Sequence, residues 1–366
     1  MDKSKKYCRH TGIELLRSLA MLMVLSLHFF IKGQYSKSND LTINFESWIM
    51  ICFSVVAVNC FVLISGYFLT EKSFRLYRIT QTYSQVFFYS VITFVLVVLF
   101  GIQPFSVGKA FTAITPIIHN CYWFATTYLL LLLFTPLLNT AINNMSKCKF
   151  QLLLFVLLGL YCVFNNIVKL INPIDNTAGY GVLWFIILYL SSAYLKKYYA
   201  PNNKPIKYFI LYCGTVIINL TFHTLFGHLG EVWNNGMVRD YNNILVYLGA
   251  VFLFLTFLNI KINNKFVNRI ILFFAPLTFA VYLLHESPFI SEWLWEMINV
   301  DTWCINNVAF IFMALGTILC LFLIFSLFEY FRKTLFKLFK IDIIIIRISN
   351  YIEEKIRGFV ISRGIK

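Results

Sequence analysis

The sequence predicts an all-α integral membrane protein of about ten transmembrane helices with both termini cytoplasmic, and three observations point there. Hydrophobic residues make up 59% of the 366 residues and charged residues only 13%, roughly half the charged share of ordinary soluble domains. Mean hydropathy is +0.74, and the apolar residues fall in runs near the ~20 residues that a spanning helix needs. Lys and Arg gather on alternate connections between those runs, as the positive-inside rule requires. A soluble fold of this composition would be sticky over most of its exterior. The long apolar runs with few charges also exclude a disordered chain.

The first run, 12–31, follows Lys3, Lys5, Lys6 and Arg9, which hold the N-terminus inside. It lacks a small-residue cleavage site and is interrupted by Glu14 and Arg17, so it is not a cleaved signal peptide. The run 48–69 returns inward to Lys72, Arg75 and Arg78, and the pair 83–103 and 123–142 ends inward at Lys147 and Lys149. Runs 150–171 and 180–199 lead to Lys196, Lys197, Lys204 and Lys207, and runs 208–226 and 242–260 lead to Lys261, Lys265 and Arg269. Runs 267–286 and 305–328 complete the set. The predicted outer connections hold only Lys32, Lys37, Lys109 and Arg239. Residues 1–331 therefore read as one ten-helix membrane domain, without an internal repeat or a linker able to hold a soluble domain. Residues 332–366 set Arg332, Lys333, Lys337 and further cations among Leu335, Phe336, Leu338, Phe339 and an Ile run at 343–346. That pattern is a basic amphipathic tail lying on anionic inner-leaflet lipid.

The net charge is +15, from 31 Lys+Arg against 16 Asp+Glu. These cations are split among short loops and build no continuous groove, so a nucleic-acid partner is not expected. The nine Cys follow no metal or redox spacing, and no metal is expected. Cys121 and Cys304 both fall on the predicted outer face, a placement compatible with a disulfide that spacing alone cannot establish.

Charged residues inside a spanning helix are expensive and mark function by default. The first run contains Arg17 and His28, eleven residues apart. At ~100° and ~1.5 Å per residue they differ by about 20° around the helix and about 16 Å along it. One stripe thus carries a fixed cation toward the cytoplasm and a titratable imidazole toward the outer surface. Taken singly, Arg17 reads as a snorkelling side chain paired with Glu14, and His28 as an interfacial histidine. Two costly groups on one face favour a functional reading.

With the Gly12-Ile13-Glu14-Leu15-Leu16-Arg17 run before it, this Arg-x10-His spacing resembles the first-helix signature of the membrane acyltransferase-3 family, which includes bacterial polysaccharide and peptidoglycan O-acetyltransferases. Further segments match in order: Ile64-Ser65-Gly66-Tyr67-Phe68, the pair Arg75 and Arg78, Trp123-Phe124 with Thr135-Pro136-Leu137-Leu138-Asn139, and Thr278-Phe279-Ala280-Val281-Tyr282-Leu283-Leu284-His285. The resemblance covers about residues 11–330. Thr278 stands where Ser is common in the family, and no extracytoplasmic hydrolase-like domain is expected after the last run.

The resemblance implies an acyltransferase of the bacterial plasma membrane that carries an acyl group, usually acetyl, from cytoplasmic acetyl-CoA or another acyl-CoA. The acceptor it implies is a hydroxyl of a surface polysaccharide or of its lipid-linked glycan precursor. Arg17, Arg75 and Arg78 are the cations expected to meet the CoA phosphates, although inner loops are rich in Arg in any case. Ser65 and Gly66 let backbones approach closely around an acyl chain, or serve helix packing alone. His28 is suited to act as general base or as transient acyl acceptor. His285, with Glu286, is its orienting partner or a second acid/base group. His119 and Trp123 are candidates for the acceptor site, although Trp gathers at membrane interfaces in any case, which favours the aromatic-belt reading of Trp123. The competing reading is a transporter or flippase that uses Arg17 and His28 as a substrate and proton relay.

Overall fold

The computed structural model describes residues 10–33, 35, 38, 40–164, 166, 178–226, 237–298 and 307–362, and among these every regular element is helical. Cys304 lies outside the described residues, as do His228, Trp233 and the ends of the predicted runs 150–171 and 305–328. The long elements are α1 (Thr11–Lys32), α2 (Leu41–Ser54), α3 (Ala57–Leu69) and α4 (Leu76–Leu99). After the short α5 (Val107–Ile114) come α6 (Trp123–Asn144) and α7 (Lys147–Leu158), the latter continued by a π-helical turn at Gly159–Phe164. Then follow α8 (Val182–Tyr198), α9 (Pro205–Phe226), α10 (Ile244–Leu258), α11 (Lys265–Phe274) and α12 (Thr278–His285). The chain closes with the short α13 (Ser291–Met297), then α14 (Asn307–Leu338) and α15 (Ile341–Ser362).

Eight of the described helical segments are long and apolar enough to cross a membrane. Two further predicted runs correspond to α8 and α10, which have 17 and 15 residues and bury most of their side chains against their neighbours. The outer helices do the opposite. Leu133 and Leu137 on α6, Phe155 on α7, Ile210 and Ile217 on α9, and Phe312 and Leu327 on α14 are all exposed. An apolar exterior on this scale is stable only in lipid, which makes this a multi-pass membrane protein.

Local sequence fixes the helix ends. Asp40 Oδ1 accepts from the Thr42 and Ile43 amides, Asn243 Oδ1 from Leu245, and Asn264 Oδ1 from Phe266 and Val267. Each supplies the side-chain acceptor that a helix start lacks. At the start of α1, the His10 imidazole takes this role, accepting from the Ile13 amide at 3.3 Å.

Helix α1 packs against α2, α3, α10, α11, α12 and α14, so its polar stripe is enclosed by protein rather than lipid. Two glycines allow the closest approaches. A Cβ on Gly12 would stand 2.2 Å from the Phe257 carbonyl oxygen at the end of α10. One on Gly66 would stand 2.1 Å from Ser192 Oγ and 3.0 Å from Tyr189 Cα on α8. Gly66→Val is therefore expected to destabilise the fold by about 1–3 kcal/mol, the usual cost of overpacking. The check is a lower unfolding temperature in detergent than that of a variant such as Ile210→Val on the exposed face of α9.

Three boundaries differ most from the sequence expectation, the first being α4, which spans Leu76–Leu99 where the run 83–103 was expected. The predicted run 48–69 is a longer segment, 41–69, divided at Val55 and Val56 into α2 and α3. The residues on both sides are apolar, so hydropathy carries no mark of the break. The last long helix runs on to Leu338, straight through residue 332. Hydropathy falls there because of Glu329, Arg332 and Lys333, but the helix continues because these charges pair with one another. Arg332 donates to Glu329 from Nε and Nη2, both at 2.7 Å, and Tyr89 Oη on α4 donates to Glu329 Oε2 at 2.7 Å.

The tail beyond it is ordered on the protein. In α15, Glu353 Oε2 accepts from the Leu76 amide at 3.1 Å, and Ser349 Oγ bonds Thr80 Oγ1 at 2.6 Å. A carboxylate from the tail thus satisfies one of the orphan amides at the start of α4.

Candidate active site

His28 on α1 and His285 at the end of α12 meet: Nδ1 of the first lies 2.9 Å from Nε2 of the second. The packing of α1 against α12 brings them together across 257 residues of chain. The hydrogen-bond partners assign the tautomers. His285 Nδ1 faces the Val281 carbonyl at 2.5 Å, and a carbonyl only accepts, so Nδ1 carries the proton. His285 Nε2 then offers a lone pair, which accepts the Nδ1 proton of His28. In the neutral pair, His28 keeps its own lone pair on Nε2. Glu286 Oε1 lies 3.3 Å from the same His28 Nδ1.

Lys32, one turn beyond His28 on α1, holds Glu286 in place. Its ammonium donates to Glu286 Oε1 and, at 3.0 Å, to Ser291 Oγ at the start of α13. Below them, Ser287 is buried and donates to Thr93 Oγ1 on α4 at 2.8 Å. The constellation is thereby tied to α1, α4, α12 and α13.

Arg17 and His28 line one cavity of about 220 Å³, together with Ser65, Thr82, Trp123, Tyr128 and the motif residues Thr278 and Phe279. The eleven-residue spacing does place both groups on one wall. A second cavity, of about 370 Å³, is lined by His28, Lys32, Glu286, Arg239, Asp240 and Tyr180. Leu27, His28, Trp123 and Tyr241 belong to both linings, so the imidazole stands at the junction. Near the far end of α3, a third cleft of about 480 Å³ is lined by Lys72, Lys196 and Lys197 with Glu71 and Asn139.

The remaining candidate residues divide. Trp123 sits in an aromatic group, with ring centroids 4.3 Å from Tyr180 and 5.7 Å from Tyr241, stacked on the latter. Arg17 both lines the cavity and lies 3.3 Å from Glu14, so the ion pair and the cavity position coexist. His285 is fully buried behind His28 and lines neither cavity. Arg75 precedes α4, and Arg78 donates to the Ser73 carbonyl at 2.7 Å; neither reaches the lining around Arg17. His119 also stands apart from both cavities. It is exposed, and its Nδ1 bonds Thr115 Oγ1 at 2.9 Å.

Several wall residues escaped the sequence reading. Lys32 had a usable signal, since it follows His28 by four residues and shares its face. Tyr241 had none. It comes from the loop before α10 and is set by Asn59, whose buried amide donates to the Tyr241 carbonyl at 2.8 Å and accepts from Trp184 Nε1 at 3.0 Å. Burial pushes the Tyr241 phenol well above its ordinary range, with Tyr180 adding to the effect, so it stays neutral and serves as wall rather than base.

The family model described as an acyltransferase domain matches residues 10–328. No curated protein and no solved structure matches the chain.

Proposed function

The chain belongs to the acyltransferase 3 family, and from that premise we propose that it is an O-acetyltransferase of a bacterial plasma membrane. In this reading about ten helices span the bilayer with both termini in the cytoplasm. The enzyme takes acetyl from cytoplasmic acetyl-CoA and esterifies a hydroxyl of an extracytoplasmic glycan or of its lipid-linked precursor. The observation that carries the reading is the single imidazole at the meeting point of two cavities, one lined by Arg17 and one with a mixed-charge, aromatic lining.

The donor enters from the Arg17 side. Its acyl-bearing arm lies in the cavity between Arg17 and His28, where Ser65 leaves room beside it. The CoA phosphates meet cations at the same end: Arg17, Arg75, Arg78 and the Lys72, Lys196 and Lys197 cleft. The acceptor enters from the other side, where Trp123, Tyr180 and Tyr241 offer flat apolar faces and Asp240 and Glu286 offer acceptors for sugar hydroxyls.

His28 Nε2 takes the proton of the acceptor hydroxyl as its oxygen attacks the thioester carbonyl carbon. The tetrahedral intermediate expels CoA thiolate, which recovers the proton from His28 to leave as the thiol. During the step His28 is cationic. His285 Nε2 accepts from its Nδ1, and Glu286 stabilises the added charge. His285 thus acts as a positioning residue through His28.

The test offers acetyl-CoA, labelled in the acetyl group, to sealed vesicles of each orientation containing the purified chain and a membrane glycan acceptor. Label is expected on the glycan only when acetyl-CoA is added on the cytoplasmic side. Unmodified glycan crossing the membrane, with no ester formed, would replace this reading by that of a carrier.

A further inference from the structure

The same three groups form a metal-ligand set. We infer that His28 Nδ1, His285 Nε2 and Glu286 bind a zinc-class divalent cation, and that this cation switches the acetyl transfer off. The binding half stands on geometry alone; the switching half rests on the role proposed above for His28.

The ligand atoms all lie within 4.8 Å of one another. His28 Nδ1 is 2.9 Å from His285 Nε2 and 3.3 Å from Glu286 Oε1. Around a tetrahedral zinc ion, with bonds of about 2.0–2.2 Å, neighbouring ligand atoms stand about 3.3–3.5 Å apart. The His28–Glu286 spacing already meets that requirement, and the two imidazoles need part by only about half an ångström. Two imidazole nitrogens and one carboxylate oxygen form a common three-ligand set for zinc with an open fourth position. The second shell is also in place. The Val281 carbonyl holds the proton of His285 on Nδ1, which leaves Nε2 as the ligand atom, the usual arrangement behind a metal-bound histidine.

One group opposes the cation. The Lys32 ammonium occupies Glu286 Oε1, and its charge repels a divalent ion. It has a second acceptor, Ser291 Oγ, on which to remain when the carboxylate turns to the metal. Lys32 therefore makes binding weaker and reversible rather than impossible. The other charged groups lining this cavity, Arg239 and Asp240, are of opposite sign.

Switching follows from the two nitrogens of one ring. A neutral imidazole that coordinates through Nδ1 must carry its proton on Nε2. The cation replaces the proton on His28 Nδ1, that proton ends on Nε2, and the lone pair needed to accept the hydroxyl proton is gone. No bond of the substrate is made or broken, and the net proton count does not change.

The probe is Co²⁺, followed in the full-length chain in nanodiscs by its visible absorption, with Zn²⁺ as competitor. One tetrahedral-type site per chain is expected, displaced by Zn²⁺ and lost in His285→Ala and in Glu286→Gln. Lys32→Met should bind Co²⁺ several-fold more tightly, a gain that nonspecific adsorption would not show. The wild-type chain should lose acetyl transfer on adding Zn²⁺ and regain it with a chelator. A spectrum unchanged by Glu286→Gln, or no spectrum at all in the wild type, overturns the site and leaves the acyltransferase reading untouched. A stoichiometric site with undiminished transfer overturns the switch, and with it the role of His28 as base.

Discussion

His28→Ala is expected to lower acetyl transfer by about 10²–10⁴-fold, the usual contribution of a positioned general base, while the chain still inserts and folds. The ring is one-fifth exposed at the junction of the two cavities, so its removal enlarges a space that is already present and leaves no buried partner stripped of charge. His285→Ala should cost less, because the base survives and only its orientation and its charge-sharing partner are lost. The two losses should not add in the double variant, since His285 acts only through His28. The measurement is label transferred per mole of purified chain under single-turnover conditions. Transfer by His28→Ala within about threefold of wild type would remove the base from this imidazole.

The second large effect lies away from the cavities. Glu329→Ala should destabilise the protein by about 3–5 kcal/mol, because it leaves a buried guanidinium without its counter-charge. Glu329 is 0% exposed and accepts from Arg332, from Tyr89 and, at 3.1 Å, from Gln85 Nε2. Arg332 is itself buried, with its guanidinium 4.4 Å from the Phe336 ring centroid. Removing both charges with Glu329→Leu and Arg332→Met should recover most of the loss, since apolar side chains of similar size suit the same space. Unfolding temperature in detergent reads both variants. Equal losses in the single and the double variant would show that the pair contributes through contacts other than its mutual charge.

Much of this architecture was legible because lipid imposes a simple code. Runs of apolar residues with cations between them located several of the long helices within a few residues, as 12–31 against Thr11–Lys32 and 123–142 against Trp123–Asn144 illustrate. Helical periodicity placed Arg17 and His28 on one wall, and His285 was already the partner expected for His28. The signals failed where the determinant was a partner rather than the residue itself. Glu329 and Arg332 look like the end of a span until their pairing is seen. The break between α2 and α3 separates two apolar stretches that hydropathy reads as one. Tyr241 becomes a wall only through Asn59, 182 residues earlier in the chain. His119 shows the converse: it lies in a connection expected on the outer face, yet its ring is satisfied by Thr115 within its own turn.

The residues common to both cavities, Leu27, His28, Trp123 and Tyr241, have a consequence for the cell as a whole. An energised bilayer does not tolerate an aqueous pore, because each escaping proton dissipates stored potential. The residues shared by the two cavities are bulky apolar and aromatic side chains around one imidazole, and in the function proposed above they would keep water from opposite faces from joining. In that reading donor and acceptor would meet at the imidazole from their own compartments while the ion gradient is conserved.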